Sequence, residues 1–311
     1  MKTLLVTGVN GFTGRYFIDY IRSLNSDIKI VGIDSKEKGS GKNDNFRFIK
    51  CNLLNKRRID SIIDRVYPDY IFHFAGLNFS KDYRELLNHN VFSTKSLLDA
   101  VINTRCKCRV LIIGSAAEYR PISQKEQPVS ELTPLRPVTP YGVSKAVQDL
   151  LALQYYSEFG LRIVIARTFN IIGPGQTTKL VCGSIVKQIK HICTKRAKIN
   201  KLIVGNLHTK RDFIDIRDVV RAYWKLMMCK KTISGEIFNI GSGKSYSIRD
   251  IIDILFRHCG REIAIEQKTE RIRKKDVPTQ VADIKKIRNM VGWKPLISIE
   301  SSLKEMYASI K

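Results

Sequence analysis

The chain has 311 residues, 43% of them hydrophobic and 27% charged, which is long enough for one large or two modest domains around a real core. No apolar run approaches the ~18 residues of a membrane span, and the brief apolar start, residues 1–8, leads into glycines and reads as a first strand rather than a signal peptide. The formal net charge of +25 admits anionic partners, but the basic residues are spread along the chain, the densest cluster being residues 271–275, so neither nucleic acid nor a membrane is expected as the partner.

The first two thirds alternate strand and helix. Short Val- and Ile-rich runs at 3–7, 28–33, 46–50, 70–75, 109–114 and 162–167 predict strands. Helical patterns fall between them at 13–24, 56–66, 83–103 and 141–159, the last followed by Gly160 where a C-terminal cap belongs. Such alternation predicts an α/β, doubly wound parallel sheet with helices on both faces. After Asn170 the rhythm breaks at Gly173-Pro174-Gly175. Helical patterns then occur near 180–195, 217–229, 247–259 and 299–310, with short strand candidates at 213–215, 237–240 and 263–267. This predicts residues 1–170 as one domain, with segments near 208–240 returning to it, and residues 171–311 as a smaller C-terminal α/β lobe. Residues 36–45 read as a polar loop.

Seven cysteines stand at positions 51, 106, 108, 182, 193, 229 and 259, an odd number with no Cys-x-x-Cys. A disulfide framework and a metal site are therefore not expected, and a reducing cytoplasm is.

Gly8, Gly11 and Gly14 lie three apart between the first strand and the first helix. The chemistry of a dinucleotide asks for this: the first glycine makes the tight turn, the second admits a pyrophosphate to the backbone, the third lets helix and strand pack closely, and the helix N-terminus offers free N–H donors. Asp34, 20 residues after Gly14, ends the second strand where a carboxylate accepts from the adenosine ribose. Its charge repels a 2′-phosphate, so NAD(H) is favoured; Lys36 and Lys38 leave NADP(H) open.

Tyr141 and Lys145 are one helical turn apart on one face. The pair is uninformative alone, since Tyr307 and Lys311 share the spacing. Beside Lys145, the Tyr141 phenol is expected to move down from its ordinary value toward the working pH and act as acid or base. Ser115, past the end of a central strand, sits where ligands bind in open α/β sheets.

The ordered set resembles the extended short-chain dehydrogenase/reductase family, the sugar-nucleotide epimerases, dehydratases and reductases. Its markers here are Gly8-x-x-Gly11-x-x-Gly14, His73-Phe74-Ala75-Gly76, Asn90, residues 114–119, Tyr141-x-x-x-Lys145, residues 167–170 and residues 211–219. Residues 137–145, Gly205-Asn206-Leu207 and residues 276–279 are similar to its GDP-sugar branch. The resemblance implies a Rossmann-like fold whose C-terminal lobe binds a nucleotide-diphosphate sugar, and a homodimer paired through helices near 88–103 and 141–156. It implies Ser115, Tyr141 and Lys145 as the catalytic set. For the cofactor it implies Gly8, Asn10, Gly11, Phe12, Thr13, Gly14, Asp34, Asn52, Leu53, Phe74, Ala75 and Gly76, together with Tyr141 and Lys145. For the substrate it implies Ser115, Asn170, Arg211 and Arg273.

Dehydratases of this family carry acids in the segment equivalent to residues 116–117, where this chain has Ala116 and Ala117. A methyl group transfers no proton, and loss of a placed base slows elimination by ~10²–10⁴. Glu118 serves that role only if the loop shifts register. Two redox readings stay open. One is reduction of the C4 keto group of a GDP-linked 4-keto-6-deoxyhexose, which the branch resemblance favours; the other is 4-epimerisation with retained NAD.

Overall fold

In the computed structural model, residues 1–24, 27–37, 45–194, 201–271 and 277–310 are described. The strands are β1 (Lys2–Thr7), β2 (Ile28–Asp34), β3 (Phe46–Lys50), β4 (Tyr70–His73), β5 (Arg109–Ser115), β6 (Arg162–Thr168), β7 (Asn170–Ile172), β8 (Lys201–Val204), β9 (Lys210–Arg211), β10 (Phe213–Asp215), β11 (Ile237–Ile240), β12 (Tyr246–Ser247), β13 (Ala264–Gln267) and β14 (Thr279–Gln280). The helices are α1 (Phe12–Ser23), α2 (Lys56–Val66), α3 (Tyr83–Leu87), α4 (Ser93–Asn103), α5 (Pro140–Phe159), α6 (Val181–Cys193), α7 (Ile216–Met227), α8 (Ile248–Cys259), α9 (Lys285–Val291) and α10 (Ile299–Ser309).

Seven strands form one parallel sheet in the order β11-β6-β5-β4-β1-β2-β3. Successive residues of β1 show why both faces need cover. Leu4 and Val6 join a core with Phe17, Ile18, Val219, Tyr223 and Leu226 of α1 and α7. Leu5 joins the opposite core with Ile59, Ile63, Leu97, Leu98 and Ala152 of α2, α4 and α5. Alternate side chains point to opposite faces and both are apolar, the signature of a strand buried on both sides. The result is the Rossmann-like doubly wound sheet. Thr7 pairs with His73 and Ser115 with Thr168, so these residues share the carboxyl edge of the sheet, where the strand order reverses between β1 and β4.

A third core, with Ile185, Val186, Leu202, Ile251, Leu255 and Leu303, holds α6, α8 and α10 against β8 and β13. Strand β11 returns from the C-terminal part to pair with β6. No helix among the described residues is long and apolar enough to cross a membrane.

Two differences from the sequence reading have physical causes. The helix expected over 83–103 widens into a π turn at Asn88–Phe92. There Asn90, fully buried, turns inward: its Oδ1 accepts from Leu77 N at 2.7 Å and its Nδ2 donates to Leu77 O at 3.0 Å and Ser144 Oγ at 2.9 Å. Strands β7, β8, β9, β12 and β14 and helix α9 were not expected, because two to seven residues carry too little periodicity. The polar loop over 36–45 lies largely outside the described residues.

Candidate active site

Gly8 leaves β1 with φ +66°, and a Cβ on it would lie 2.6 Å from Ala75 N; one on Gly14 would collide with the Gly8 carbonyl. Helix α1 starts beyond Gly11 with no side-chain cap. The N–H groups of Phe12, Thr13 and Gly14 therefore face outward from a positive helix end, and the site fits a pyrophosphate. Asp34 is clasped to this turn: its Oδ2 accepts from Asn10 N at 3.0 Å and its Oδ1 from Lys36 N at 3.2 Å, while Asn10 Nδ2 donates to Lys36 O at 2.7 Å. Beyond β3, Cys51 N donates to Asp34 O at 2.9 Å, which sets Asn52 and Leu53 beside the same strand end. Phe74 and Ala75 are stitched to Thr7 across the β1–β4 seam, and a Cβ on Gly76 would lie 2.9 Å from Asn90 Oδ1.

Ser115 ends β5 and caps the short turn Ala116–Glu118; its Oγ accepts from Ala117 N at 3.2 Å. Helix α5 brings Tyr141 to it. Thr139 Oγ1 accepts from Gly142 N at 3.0 Å and Pro140 opens the helix, so Tyr141 stands in a capped first turn. Ser115 lies near enough to the Tyr141 phenol for its side chain to favour the phenolate. Burial pushes the phenol up to about 12; Ser115 pulls the other way, and Glu118 and Asp149 add to the rise. This corrects the expected downward shift: enclosure raises the phenol while the Lys145 ammonium is engaged with Ile113 O and Gln148 Oε1.

Lys145 explains why. Its Nζ donates to the Ile113 carbonyl and to Gln148 Oε1. Burial lowers its pKa, opposed by Glu118 and Asp149. Gln148 Nε2 donates to Thr94 Oγ1 at 2.7 Å, and Thr94 gives its one hydroxyl proton to Asn90 O at 2.7 Å. Thr94 Oγ1 must then accept from His73 Nε2, 2.9 Å away, so His73 is the Nε2–H tautomer and its Nδ1 accepts from Thr7 Oγ1 at 2.7 Å. Burial, with the Lys145 charge, lowers the His73 pKa to about 3. A buried polar chain thus runs from Lys145 and Gln148 of α5 through Thr94 of α4 to His73 of β4 and Thr7 of β1.

Of the expected substrate residues, Asn170 donates from Nδ2 to Asp212 O at 2.9 Å. Arg211 Nη1 donates to Lys210 O at 2.8 Å and to Val277 O at 2.5 Å. In β9 Arg211 pairs with Gln280 of β14, and Gln280 Nε2 donates to Ala116 O at 2.7 Å, which joins the Arg211 strand to the Ser115 turn. Arg273 lies outside the described residues. Glu118 does not face the cleft. It is fully buried, and its Oε1 accepts from Ser115 N. The sequence carried a signal for this, since Ser115-x-x-Glu118 is a capping-box pattern. Gln148 and Gln280 were missed; glutamines in a helix and in a two-residue strand announce nothing by spacing. No group of three or more His, Cys, Asp or Glu side chains able to hold a metal occurs among the described residues.

The sequence profile of the GDP-mannose 4,6 dehydratase family matches residues 5–306. The chain belongs to this family. It is similar to a GDP-6-deoxy-D-mannose reductase of Pseudomonas aeruginosa, 28% identical over 97% of this chain and 95% of that one. It is likewise similar to a GDP-6-deoxy-D-talose 4-dehydrogenase of Aggregatibacter actinomycetemcomitans, 28% identical over 98% of this chain and 96% of that one. Among solved structures, RMD from Pseudomonas aeruginosa complexed with NADPH superposes with a TM-score of 0.86 at 27% identity, covering 99% of this chain and 98% of that one. UDP-glucuronic acid 4-epimerase from Bacillus cereus, in complex with UDP-glucuronic acid and NAD, gives 0.85 at 27% identity over the same shares. Reductases, dehydrogenases and epimerases of nucleotide sugars are thus all similar to this chain.

Proposed function

We propose that this member of the family reduces the C4 keto group of a nucleotide-linked 4-keto-6-deoxyhexose, with GDP as the nucleotide and NADH as the favoured hydride source. The observation that carries the reading is the Tyr141 phenol, enclosed beside Ser115 and held protonated by that burial. A ketone reduction needs an acid at the start of the cycle, whereas epimerisation must first take a proton from a hydroxyl. The likeness to a GDP-6-deoxy-D-mannose reductase and to RMD with NADPH supports the same direction. Elimination of water finds no base, because residues 116 and 117 are alanine and Glu118 points into the interior.

We assign the cofactor to residues 1–170 with the returning strand β11, and the nucleotide sugar to the remaining lobe. The reduced nicotinamide, when bound, supplies the hydride. Ser115 Oγ–H donates to the sugar C4 oxygen as charge develops there, and Tyr141 Oη–H passes its proton to that oxygen. Lys145 turns from Gln148 and Ile113 to the ribose hydroxyls and steadies the phenolate left behind. Asn170 and Arg211 hold the sugar and diphosphate, a bidentate guanidinium contact suiting the latter. Two copies pair through α4 and α5. The seven cysteines are free thiols, in keeping with the cytoplasm.

The test mixes the protein with NADH and GDP-4-keto-6-deoxymannose, with dTDP, UDP and CDP analogues alongside. Stoichiometric loss of the nicotinamide absorbance with the GDP sugar is expected, and Tyr141→Phe should lower kcat by ~10²–10⁴. No oxidation with any sugar, together with NAD released on denaturation, would move the assignment to a 4-epimerase.

A further inference from the structure

Behind Ser115, on the side away from the cleft, lies a buried cluster that the reaction as written does not use. Asp149 of α5 and Glu118 are fully buried and Arg167 of β6 nearly so. The carboxylate of Asp149 rests against Gly114, where a Cβ would lie 3.0 Å from both of its oxygens. Arg167 Nε is 2.9 Å from Asp149 Oδ2 and 3.1 Å from Glu118 Oε2, and its guanidinium stands 4.9 Å from the centre of the Tyr119 ring.

One hydrogen on Nε cannot serve both carboxylates, and the shorter contact takes it to Asp149. Glu118 Oε2 and Asp149 Oδ1 are then two enclosed acceptors with no donor. The two carboxyl groups crowd the same guanidinium nitrogen, at 3.1 and 2.9 Å, which sets them side by side. Two like charges so placed in a dry interior cost more than keeping a proton. A single proton on Glu118 Oε2, donated to Asp149 Oδ1, satisfies both orphaned oxygens. It leaves Asp149 ionised against Arg167 and Glu118 Oε1 free to accept from Ser115 N. Burial and the Asp149 charge raise the Glu118 pKa well above the carboxylate range, in agreement, while Arg167 and Lys145 act in the opposite sense.

We propose that Glu118 is a positioning residue for Ser115, held in its protonated form by one proton shared with Asp149. It acts on the reaction only through Ser115, by fixing the main chain that carries the hydroxyl. A neutral clamp does this without setting a second buried negative charge beside Tyr141 and Lys145.

The test has one readout independent of the reductase reading. In difference infrared spectra of the folded protein near pH 7.5, without substrate, wild type against Glu118→Gln should lose a protonated-carboxyl C=O band that shifts in deuterium oxide. Loss of carboxylate bands alone would overturn the proposal whatever the enzyme reduces. In turnover, Glu118→Leu removes the acceptor from Ser115 N and should lower kcat about 10- to 100-fold with KM for the nucleotide sugar nearly unchanged. Glu118→Gln, whose amide both accepts from Ser115 N and donates to Asp149, should restore most of that loss. Gln as damaging as Leu would mean that an ionised Glu118 is required and would also overturn it.

Discussion

At the scale of single residues, the role proposed for Asp34 in cofactor preference can be measured. Its two oxygens already accept from Asn10 N and Lys36 N, which fixes the carboxylate beside the glycine turn and leaves its remaining lone pairs for ribose hydroxyls. A 2′-phosphate there meets a fixed negative charge. Asp34→Ser should raise the NADPH-to-NADH ratio of kcat/KM by about tenfold, equivalent to ~1.4 kcal/mol; an unchanged ratio would remove Asp34 from cofactor selection. His73 makes a different prediction. Its folded pKa, about 3, lies below the ordinary 6.5, so the neutral ring is the form the fold binds. The stability this contributes is fully present above pH 6.5 and is lost as the pH falls through that value toward 3, at ~1.4 kcal/mol per pH unit. Urea midpoints at pH 7.5 and 4.5 should therefore fall more steeply in wild type than in His73→Asn, which keeps one donor and one acceptor but does not titrate.

At the scale of elements, the active site depends on how closely the start of α5 docks on the turn after β5. Gly142 marks the contact, because a Cβ there would collide with the Ala117 carbonyl and lie 3.0 Å from Pro137 Cβ. Gly142→Ala must push Tyr141 and the Ser115 turn apart. The expected result is a fall in kcat of about 10²-fold with cofactor affinity little changed, measured by steady-state turnover beside NADH fluorescence titration. Equal activity would mean that the two elements approach independently. This docking also shows what the sequence could and could not convey. The placement of Ser115 at a strand end and of Tyr141 and Lys145 on one helix was legible because strand, turn and helix each carry a strong local pattern. Their electrostatics were not, since the upward shift of Tyr141 comes from enclosure by groups distant in sequence. Likewise Asn90 could be read as a family marker, but the π turn it occupies answers to Leu77 and Ser144, contacts that no helical periodicity contains. In the C-terminal lobe, β9, β12 and β14 exist because they pair with one another, so their two-residue segments had no pattern to read.

At the scale of the whole molecule, the outward face of α5 bears on the proposed pairing. Along α5, Lys145, Gln148 and Asp149 turn inward to the sheet and the site, while Val147 (39% exposed), Leu150 (58%) and Phe159 (46%) turn outward, and Phe92 beside α4 is 49% exposed. Val143, Val147 and Leu150 follow at helical spacing, so these apolar residues form a short stripe. Water has no favourable use for such a stripe on a chain that carries a net charge of +25, and like charge alone would keep copies apart. The proposed pairing through α4 and α5 would bury this apolar area and stiffen the helix whose first turns hold Tyr141 and Lys145. Covering the exposed part of Leu150 is worth about 1 kcal/mol in each copy, and a glutamate there would be buried without a partner. In sedimentation at low micromolar concentration, wild type should therefore run at twice the 35.6 kDa of one chain, and Leu150→Glu should run as a single chain with reduced thermal stability. Wild type sedimenting as one chain would refute the pairing. A Leu150→Glu variant that stays dimeric would place the interface on another face.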